Sequence, residues 1–167
     1  VFGSPKGRTW DMLRAMRLSH WSKNLLLAVP LVVGHYISDL PKLVVLLEAF
    51  ISFGLCASAV YVLNDLVDLA ADRQHSTKQL RPFACGRLKV QTGLLLTLIL
   101  VPSAFLLAVI GGLPSSFIGI LGIYFILTTA YSLCLKRKVI VDVLLLAGLY
   151  TLRIVAGGCA IDVIVTP

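Results

Sequence analysis

Charged residues are scarce in this chain, and their scarcity excludes an ordinary soluble domain. Only 14% of its 167 residues are charged, whereas 58% are hydrophobic. Soluble domains carry about 25% charged residues, so a lipid bilayer is the expected solvent. Acids are the rarest charged group, with 8 aspartates and glutamates against 15 lysines and arginines and a net charge of +7.

Three further absences narrow the function classes. No basic stripe with interleaved aromatic residues occurs, so we predict no nucleic-acid partner. The opening ten residues have no apolar core of the kind that signal peptides contain, and we interpret residues 1–13 as a cytoplasmic stub or linker. No cysteine pair has CxxC spacing, which argues against zinc or a redox dithiol and favours small apolar fillers; the cysteines are Cys56, Cys85, Cys134 and Cys159.

Long apolar runs fill most of the remaining chain. A helix needs about 20 apolar residues to span the hydrocarbon core of a membrane. We therefore predict an all-α, polytopic bundle of transmembrane helices over residues 14–167, with about five spans. The first span is the weakest, and Pro30 would kink it. The five segments cover residues 22–37, 43–69, 92–110, 115–135 and 139–161.

Basic residues concentrate in alternate connections of this predicted bundle. They precede the first span and follow the second and fourth spans, whereas the other connections carry few of them. By the positive-inside rule, the N-terminus and both basic loops should lie on the cytoplasmic side. The lipid bilayer is then the first expected partner of this multi-pass chain.

The acids concentrate at the end of the second span, in the stretch YVLNDLVDLAADRQHSTKQLRPFACGR over residues 61–87. If the helix continues that far, Asn64, Asp65, Asp68 and Asp72 fall within one arc of about 100°. Three neighbouring carboxylates repel one another unless positive charge lies among them. Mg²⁺ takes oxygen ligands and keeps substrate phosphates in its shell. The stripe therefore predicts a Mg²⁺–diphosphate site; the alternative is a solvated helix end with ordinary salt bridges.

Bases follow this stripe in the next loop. Arg73, Lys78 and Arg81 would face the same phosphates as the predicted metal. Arginine can grip a phosphate through two parallel hydrogen bonds, while lysine acts as a point charge. The loop therefore adds a phosphate-binding half to the predicted site.

The fifth span contains two ionisable residues, Asp142 and Arg153. Asp142 lies four residues after Lys138, so an interfacial ion pair and a role in a polar cavity both stay open. Arg153 lies about 22 Å along a helix from Lys138 and shares a face with Asp142 to within about 20°. An arginine facing lipid there would be costly, so we expect Arg153 to face a cavity or contact an acceptor.

At these residues the sequence resembles the UbiA superfamily of intramembrane prenyltransferases. Residues 64–72 fit its NDxxDxxxD signature in full, and residues 81–86 resemble its RPxAxG segment. Residues 16–35 resemble the entry into its first helix, and residues 131–137 resemble its basic loop between the fourth and fifth helices. The resemblance covers nearly the whole chain.

The resemblance implies nine transmembrane helices around a central cavity, of which this chain would hold the N-terminal part. It implies a transferase that uses Mg²⁺ to bind an isoprenoid diphosphate or similar donor. Asn64, Asp65, Asp68 and Asp72 would bind metal and diphosphate, with the three aspartates essential for catalysis. The residues implied to bind substrate or neutralise the departing diphosphate are Arg73, Lys78, Arg81, Tyr131, Lys136 and Arg137.

Within the superfamily, residues 71–82 resemble decaprenyl-phosphate phosphoribosyltransferases and their bacterial relatives. That subgroup implies phosphoribosyl diphosphate as donor, a polyprenyl phosphate as acceptor and a bacterial plasma membrane. An aromatic, quinone-pathway polyprenyltransferase, with an aromatic co-substrate, is the alternative. The family's second aspartate motif is absent from these residues, so we expect these 167 residues alone to be inactive. An ion-pathway protein or a non-catalytic membrane fragment is the alternative of another class.

Overall fold

The computed structural model describes residues 5–135 and 139–163, and it contains helices and connecting turns throughout these two ranges. The prediction of an all-α bundle is therefore confirmed. The α-helices are α1 (Pro5–Ala15), α2 (Val29–Val33), α3 (Leu40–Val67), α4 (Leu69–Gln74), α5 (Val90–Ile110), α6 (Ser115–Ala130) and α7 (Val139–Ala160), with 3-10 segments at Leu18–Ala28 and Lys78–Leu80 and a π-helical segment at Tyr131–Leu135.

Four of these helices are long and apolar enough to cross a membrane, and they correspond to the second to fifth predicted spans. The first predicted span differs, because Leu18–Ala28 forms a 3-10 segment of 11 residues and α2 adds only 5 more. A 3-10 helix rises about 2.0 Å per residue against about 1.5 Å in an α-helix. The two pieces together therefore extend about 30 Å, comparable to the hydrocarbon thickness of a bilayer.

The residues interpreted as a stub or linker belong largely to α1, which packs on the end of α3. Asp11 and Ala15 are buried, and Ala15 joins a small apolar cluster with Val62, Phe83 and Leu88. The Asp11 carboxylate also lies 3.5 Å from Nε of Arg87. The segment before the first predicted span is thus part of the packed structure.

Helix α3 is the centre of the bundle. It begins at the N-cap Asp39, whose side chain accepts a hydrogen bond from the Lys42 backbone N–H at 3.2 Å. Small buried residues such as Ala49, Ser52 and Ala57 line its interior face, which lets neighbouring helices approach closely. It packs most extensively against α5.

Helix α7 crosses the first 3-10 segment at Gly157. A Cβ at this position would overlap the backbone carbonyl of Leu27, so only glycine permits the crossing. Arg153 lies one turn before Gly157 on α7, and Asn24 lies one turn before Leu27 on the 3-10 segment. The close crossing therefore brings the side chains of Arg153 and Asn24 together.

We predict that Gly157→Ala destabilises the protein because the added methyl group must separate α7 from the 3-10 segment. Gly148→Ala is the matched control, since a Cβ there meets nothing within 4 Å and alanine favours a helix by about 1 kcal/mol over glycine. The melting temperature of the purified protein in detergent should fall for Gly157→Ala and stay equal or rise for Gly148→Ala. Equal melting temperatures for the two variants would contradict the crossing.

Candidate active site

Helix α3 ends within the acidic stripe, at Val67, between Asp65 and Asp68. Asp68 caps both α3 and α4, with backbone angles φ −85° and ψ 4°. We expected the helix to run on to Asp72, whereas the structure has this break at Asp68. The Asp72 N–H still donates to the Asp68 carbonyl at 2.8 Å, and the Asp68 N–H donates to the Asn64 carbonyl at 2.9 Å. Helical spacing therefore survives the break, and the polar residues stay near one another.

A cavity of about 360 Å³ opens beside this break, between α3, α6 and α7. Its wall includes Asn64 and Asp68 of the acidic stripe but neither Asp65 nor Asp72. The polar residues of the wall are one acid, five bases, four tyrosines and three residues with neutral amide or hydroxyl groups. They are Arg17, Lys23, Tyr61, Asn64, Asp68, Lys78, Arg81, Tyr124, Thr128, Tyr131, Ser132, Tyr150 and Arg153.

The remaining two aspartates form a buried ion-pair network, which we call the arginine–aspartate cluster (Arg17, Asp65, Asp72 and Arg81). Arg81 Nη1 lies 2.7 Å from Asp72 Oδ2 and 3.3 Å from Asp65 Oδ1. Arg17 Nη2 lies 2.6 Å from the same Asp65 oxygen. Both aspartates are only 2% exposed. The cluster therefore has two buried carboxylates neutralised by two arginines.

Backbone hydrogen bonding to α3 holds Arg17 in place. Its φ of 50° lies in the left-handed region, which non-glycine residues adopt at a conformational cost. Ser58 of α3 donates to the Met16 carbonyl at 2.8 Å, and Trp21 Nε1 donates to the Ser58 hydroxyl at 3.0 Å. Ser58 lies two helical turns before Asp65, so this anchor aims the Arg17 guanidinium at that carboxylate.

Buried apolar residues anchor the loop that carries Arg81. Phe83 and Leu88 are 2% and 3% exposed. A Cβ at Gly93 would lie 2.9 Å from both the Phe83 ring and Leu66, so the start of α5 closes tightly over Phe83. The burial of Phe83 fixes a side chain two residues from Arg81, which orients the guanidinium toward the two aspartates.

The π-helical segment Tyr131–Leu135 closes the same end of the cavity. Ser132 Oγ donates a hydrogen bond to the Asn64 side-chain carbonyl, and Tyr131 lies beside it in the cavity wall. Single π-helical turns inside α-helices are frequent at functional sites because they change the direction of side chains. This one joins α6 to the acidic stripe of α3.

Arg153 lines the cavity deeper in the bundle and is only 5% exposed. Its Nε donates to Asn24 Oδ1 at 3.1 Å, its Nη2 to the Tyr124 hydroxyl at 3.0 Å, and its Nη1 to the Leu149 carbonyl at 2.8 Å. All three acceptors are neutral. The expected cavity-facing position of Arg153 thus agrees with the structure.

The donor set facing the cavity fits a metal ion that is shared with a substrate. Within the part of the chain that the structure describes, no three His, Cys, Asp or Glu side chains are close enough to hold a metal alone. Mg²⁺ commonly binds through one or two carboxylates together with substrate phosphates. Asp68 and Asn64 offer two oxygen ligands, and Lys78 and Arg81 offer positive charge for phosphates in the same wall.

The structure divides the predicted site residues into groups. Asn64, Asp68, Lys78, Arg81, Tyr131 and Arg153 line the cavity, and Asp65 and Asp72 lie behind it in the arginine–aspartate cluster. Arg73 is exposed and is not part of the cavity wall. Lys136 and Arg137 lie outside the described residues, as does the side chain of Asp142.

Sequence reasoning missed several members of the wall, including Arg17, Lys23 and Tyr124. The two bases were interpreted only as part of the positively charged N-terminal segment. A signal for this wall does exist, since Tyr124 and Thr128 of α6 and Ser132 of the following π-helical segment recur every four residues. That spacing places three hydroxyl groups along one helix face.

Comparison with known proteins shows which family this chain resembles in sequence. A model of the UbiA prenyltransferase family matches residues 27–167. An uncharacterised protein of Sinorhizobium fredii, y4nM, is 41% identical over 147 residues, covering 88% of this chain and 28% of that protein. The decaprenyl-phosphate phosphoribosyltransferase of Mycobacterium tuberculosis strain H37Rv is 35% identical over 163 residues, covering 93% of this chain and 52% of that protein.

A solved structure shares the fold. A UbiA homolog from Archaeoglobus fulgidus bound to DMAPP and Mg²⁺ superposes with a TM-score of 0.74 at 21% identity. The match covers 93% of this chain and 56% of the homolog. The chain therefore spans about half the length, or less, of the known proteins that it matches.

We predict that Arg81→Gln destabilises the fold when divalent metal is removed with EDTA. The substitution leaves the buried Asp72 carboxylate without its guanidinium and restores repulsion between two acids. Removing one partner of a fully buried pair costs about 3–5 kcal/mol, and we expect a smaller loss because Arg81 is 26% exposed.

The melting temperature in detergent measures this effect. Arg14→Gln, at an exposed arginine outside the cavity, is the control and should leave the melting temperature unchanged. Adding Asp72→Asn to Arg81→Gln should restore part of the loss, since the unpaired charge is then gone. An Arg81→Gln variant as stable as the original protein would contradict the proposed charge balance.

Proposed function

This chain belongs to the UbiA prenyltransferase family, and we propose that it supplies the donor-binding half of a Mg²⁺-dependent intramembrane transferase. The observation that carries the proposal is the cavity at the end of α3. Asn64 and Asp68 share its wall with Lys78 and Arg81, so metal ligands and phosphate-binding cations face the same space. A cavity that carries both is suited to a diphosphate.

Asn64 and Asp68 would hold Mg²⁺, which when bound shields the charge of the diphosphate and makes it a better leaving group. Asp65 and Asp72 fix Arg17 and Arg81 through the arginine–aspartate cluster; we propose that they become metal ligands only if these arginines move onto the phosphates. The predicted roles of Arg73, Lys136 and Arg137 in neutralising diphosphate remain part of the proposal, as does a polar-cavity role for Asp142.

The proposed reaction is a group transfer. The carbon–oxygen bond between donor and diphosphate breaks, the electron pair leaves with the diphosphate, and a nucleophilic acceptor atom forms the new bond to carbon. Arg81 and Lys78 would stabilise the negative charge that develops on the leaving oxygen. The rings of Tyr124, Tyr131 and Tyr150 border the same cavity, and aromatic faces attract an electron-poor carbon.

Phosphoribosyl diphosphate as donor and a polyprenyl phosphate as acceptor are the substrates we favour. The support is the similarity to decaprenyl-phosphate phosphoribosyltransferases, at 33–35% identity over nearly the whole chain. An aromatic polyprenyltransferase is the second candidate, and the fold shared with a homolog that binds DMAPP supports it. Both reactions use a diphosphate leaving group.

We predict that Asp68→Asn lowers kcat/KM for donor by at least about 100-fold, because the substitution removes the carboxylate that holds the metal against the donor. Transfer of radiolabelled phosphoribosyl or prenyl groups into lipid, by membranes that contain this chain as part of the whole transferase, measures this. Asp162→Asn is the matched control, since Asp162 is exposed at the far end of α7 and its φ of 54° suits asparagine equally well. Full activity of the Asp68→Asn variant would contradict the proposed role of this residue.

We also propose that the active-site end of the bundle faces the cytoplasm of a bacterial plasma membrane. The basis is the concentration of basic residues before the 3-10 segment and in the loop between α4 and α5. Cys85 reports this orientation because it is exposed in that loop.

In spheroplasts, a membrane-impermeant thiol reagent should modify Cys85 only after the membrane is permeabilised. Ser38→Cys, placed in the opposite exposed loop of a Cys85→Ser background, should react without permeabilisation. The reverse pattern would show the opposite orientation.

A further inference from the structure

Arg153 is a buried cation whose charge no carboxylate balances within the described part of the chain. The four ion pairs found there all involve other arginines. Asp142 lies eleven residues away on α7, about 16 Å along the helix, which is beyond ion-pair distance. A buried charge is costly unless an opposite charge accompanies it. Among the described residues, the environment of Arg153 therefore lacks a carboxylate that would balance its charge.

Aromatic rings and neutral acceptors compensate only part of this charge. The guanidinium lies 5.0 Å from the Tyr124 ring centroid and 5.7 Å from those of Phe53 and Tyr150. Such contacts attract a cation without neutralising it. The guanidinium has five N–H donors, and three of its protein hydrogen bonds, all to neutral oxygens, are accounted for by Asn24, Tyr124 and Leu149. Donor capacity therefore remains for a further acceptor.

A second unused donor lies beside Arg153. Asn24 is 1% exposed, and its side-chain Nδ2 has no hydrogen-bond partner among the residues that the structure describes. Rotating the amide does not remove the problem, because the NH₂ group would then face the Arg153 Nε–H that Oδ1 now accepts. Buried polar groups are normally satisfied, so this orphan donor also indicates a missing acceptor.

The side chains of Arg153 and Asn24 lie deeper in the bundle than the acidic stripe. Tyr124 and Ser132 are eight residues apart on the α6 side of the cavity, about 12 Å along the helix axis. Ser132 contacts Asn64 at the level of the stripe, whereas Tyr124 contacts Arg153. The cavity wall thus has two polar levels, and among the described residues only the upper level has a carboxylate, Asp68, suited to a metal.

We propose that Arg153, with Tyr124 beside it in the cavity wall and Asn24 bonded to it from behind that wall, forms a second anion-binding subsite, which takes a phosphate monoester or carboxylate group of a substrate rather than its diphosphate. This rests on the proposed function, in which the diphosphate occupies the upper level. A substrate that carries both a diphosphate and a second anionic group would fill both levels of the cavity. A diphosphate donor together with an acceptor that has an anionic end would also fill both levels.

Binding to the purified protein in nanodiscs, measured by calorimetry, tests the subsite. Four probes separate the possible sources of the anion: ribose 5-phosphate, farnesyl phosphate, 4-hydroxybenzoate, and inorganic pyrophosphate with Mg²⁺. Arg153→Met keeps an unbranched apolar stem, shorter than that of arginine, and removes the charge. We expect it to weaken at least one of the first three probes by about 10-fold or more, as loss of a charge-assisted hydrogen bond implies, and to leave pyrophosphate binding unchanged.

Asp68→Asn is the complementary variant, since it should weaken pyrophosphate and leave the other probes unchanged. The probe that depends on Arg153 identifies the source of the anion. Equal weakening of pyrophosphate and the other probes by Arg153→Met would overturn the inference, because it would place Arg153 in the diphosphate site. Affinities for the first three probes that are the same with and without Arg153→Met would overturn the inference as well. In that case, pyrophosphate binding that is weakened by Asp68→Asn would still support the proposed function.

The melting temperature of the ligand-free protein distinguishes a binding role of Arg153 from a purely structural role. Arg153→Met should melt at the same temperature or higher, since an uncompensated buried charge is removed. A lower melting temperature together with unchanged probe binding would show that Arg153 only supports packing. A further outcome is that neither the original protein nor any variant binds pyrophosphate while Arg153→Met still weakens one of the other probes. That result would support the subsite and contradict the proposed donor site.

Discussion

Buried carboxylates at the end of a membrane helix require positive charge within ion-pair distance, and the rest of the site is arranged around that requirement. Asp65 and Asp72 obtain the charge from Arg81 and Arg17, two arginines from opposite sides of α3 in the sequence. Each arginine needs its own anchor, which Ser58 supplies for Arg17 and the buried ring of Phe83 supplies for Arg81. The arginine–aspartate cluster thus ties the N-terminal turn and the loop after α4 to one helix end.

The requirement for positive charge near buried carboxylates also divides the four polar residues of the acidic stripe into two pairs. Asn64 and Asp68 face the cavity, while Asp65 and Asp72 face the arginines. The break at Asp68 shapes this division, because it ends α3 and restarts α4 without losing helical spacing. Arg153 presents the opposite situation deeper in the bundle, a buried cation among neutral partners, and this asymmetry makes the lower level of the cavity a place for an anion.

Much of the fold could be predicted from the sequence because lipid imposes a simple rule on composition. Four apolar runs became four long helices with bounds within a few residues of those expected. The first span could not be predicted in detail, since apolar composition does not distinguish a 3-10 segment from an α-helix. The helix at residues 5–15 was missed for a similar reason, as its stability comes from packing of Ala15 against Val62 and Phe83, which lie far away in sequence.

By itself, the sequence determined where polar side chains concentrate: the spacing of Asn64, Asp65, Asp68 and Asp72 at the end of an apolar run already predicted a polar face at a membrane surface. Only the tertiary structure decided which of them meet the cavity, because that depends on arginines 48 and 16 residues from Asp65. Likewise, the sequence marked Arg153 as costly in lipid, but the crossing of α7 and the 3-10 segment at Gly157 decided that Asn24 is one of its partners. Local spacing fixes the face of a helix, whereas charge balance and close packing between distant segments fix what that face contacts.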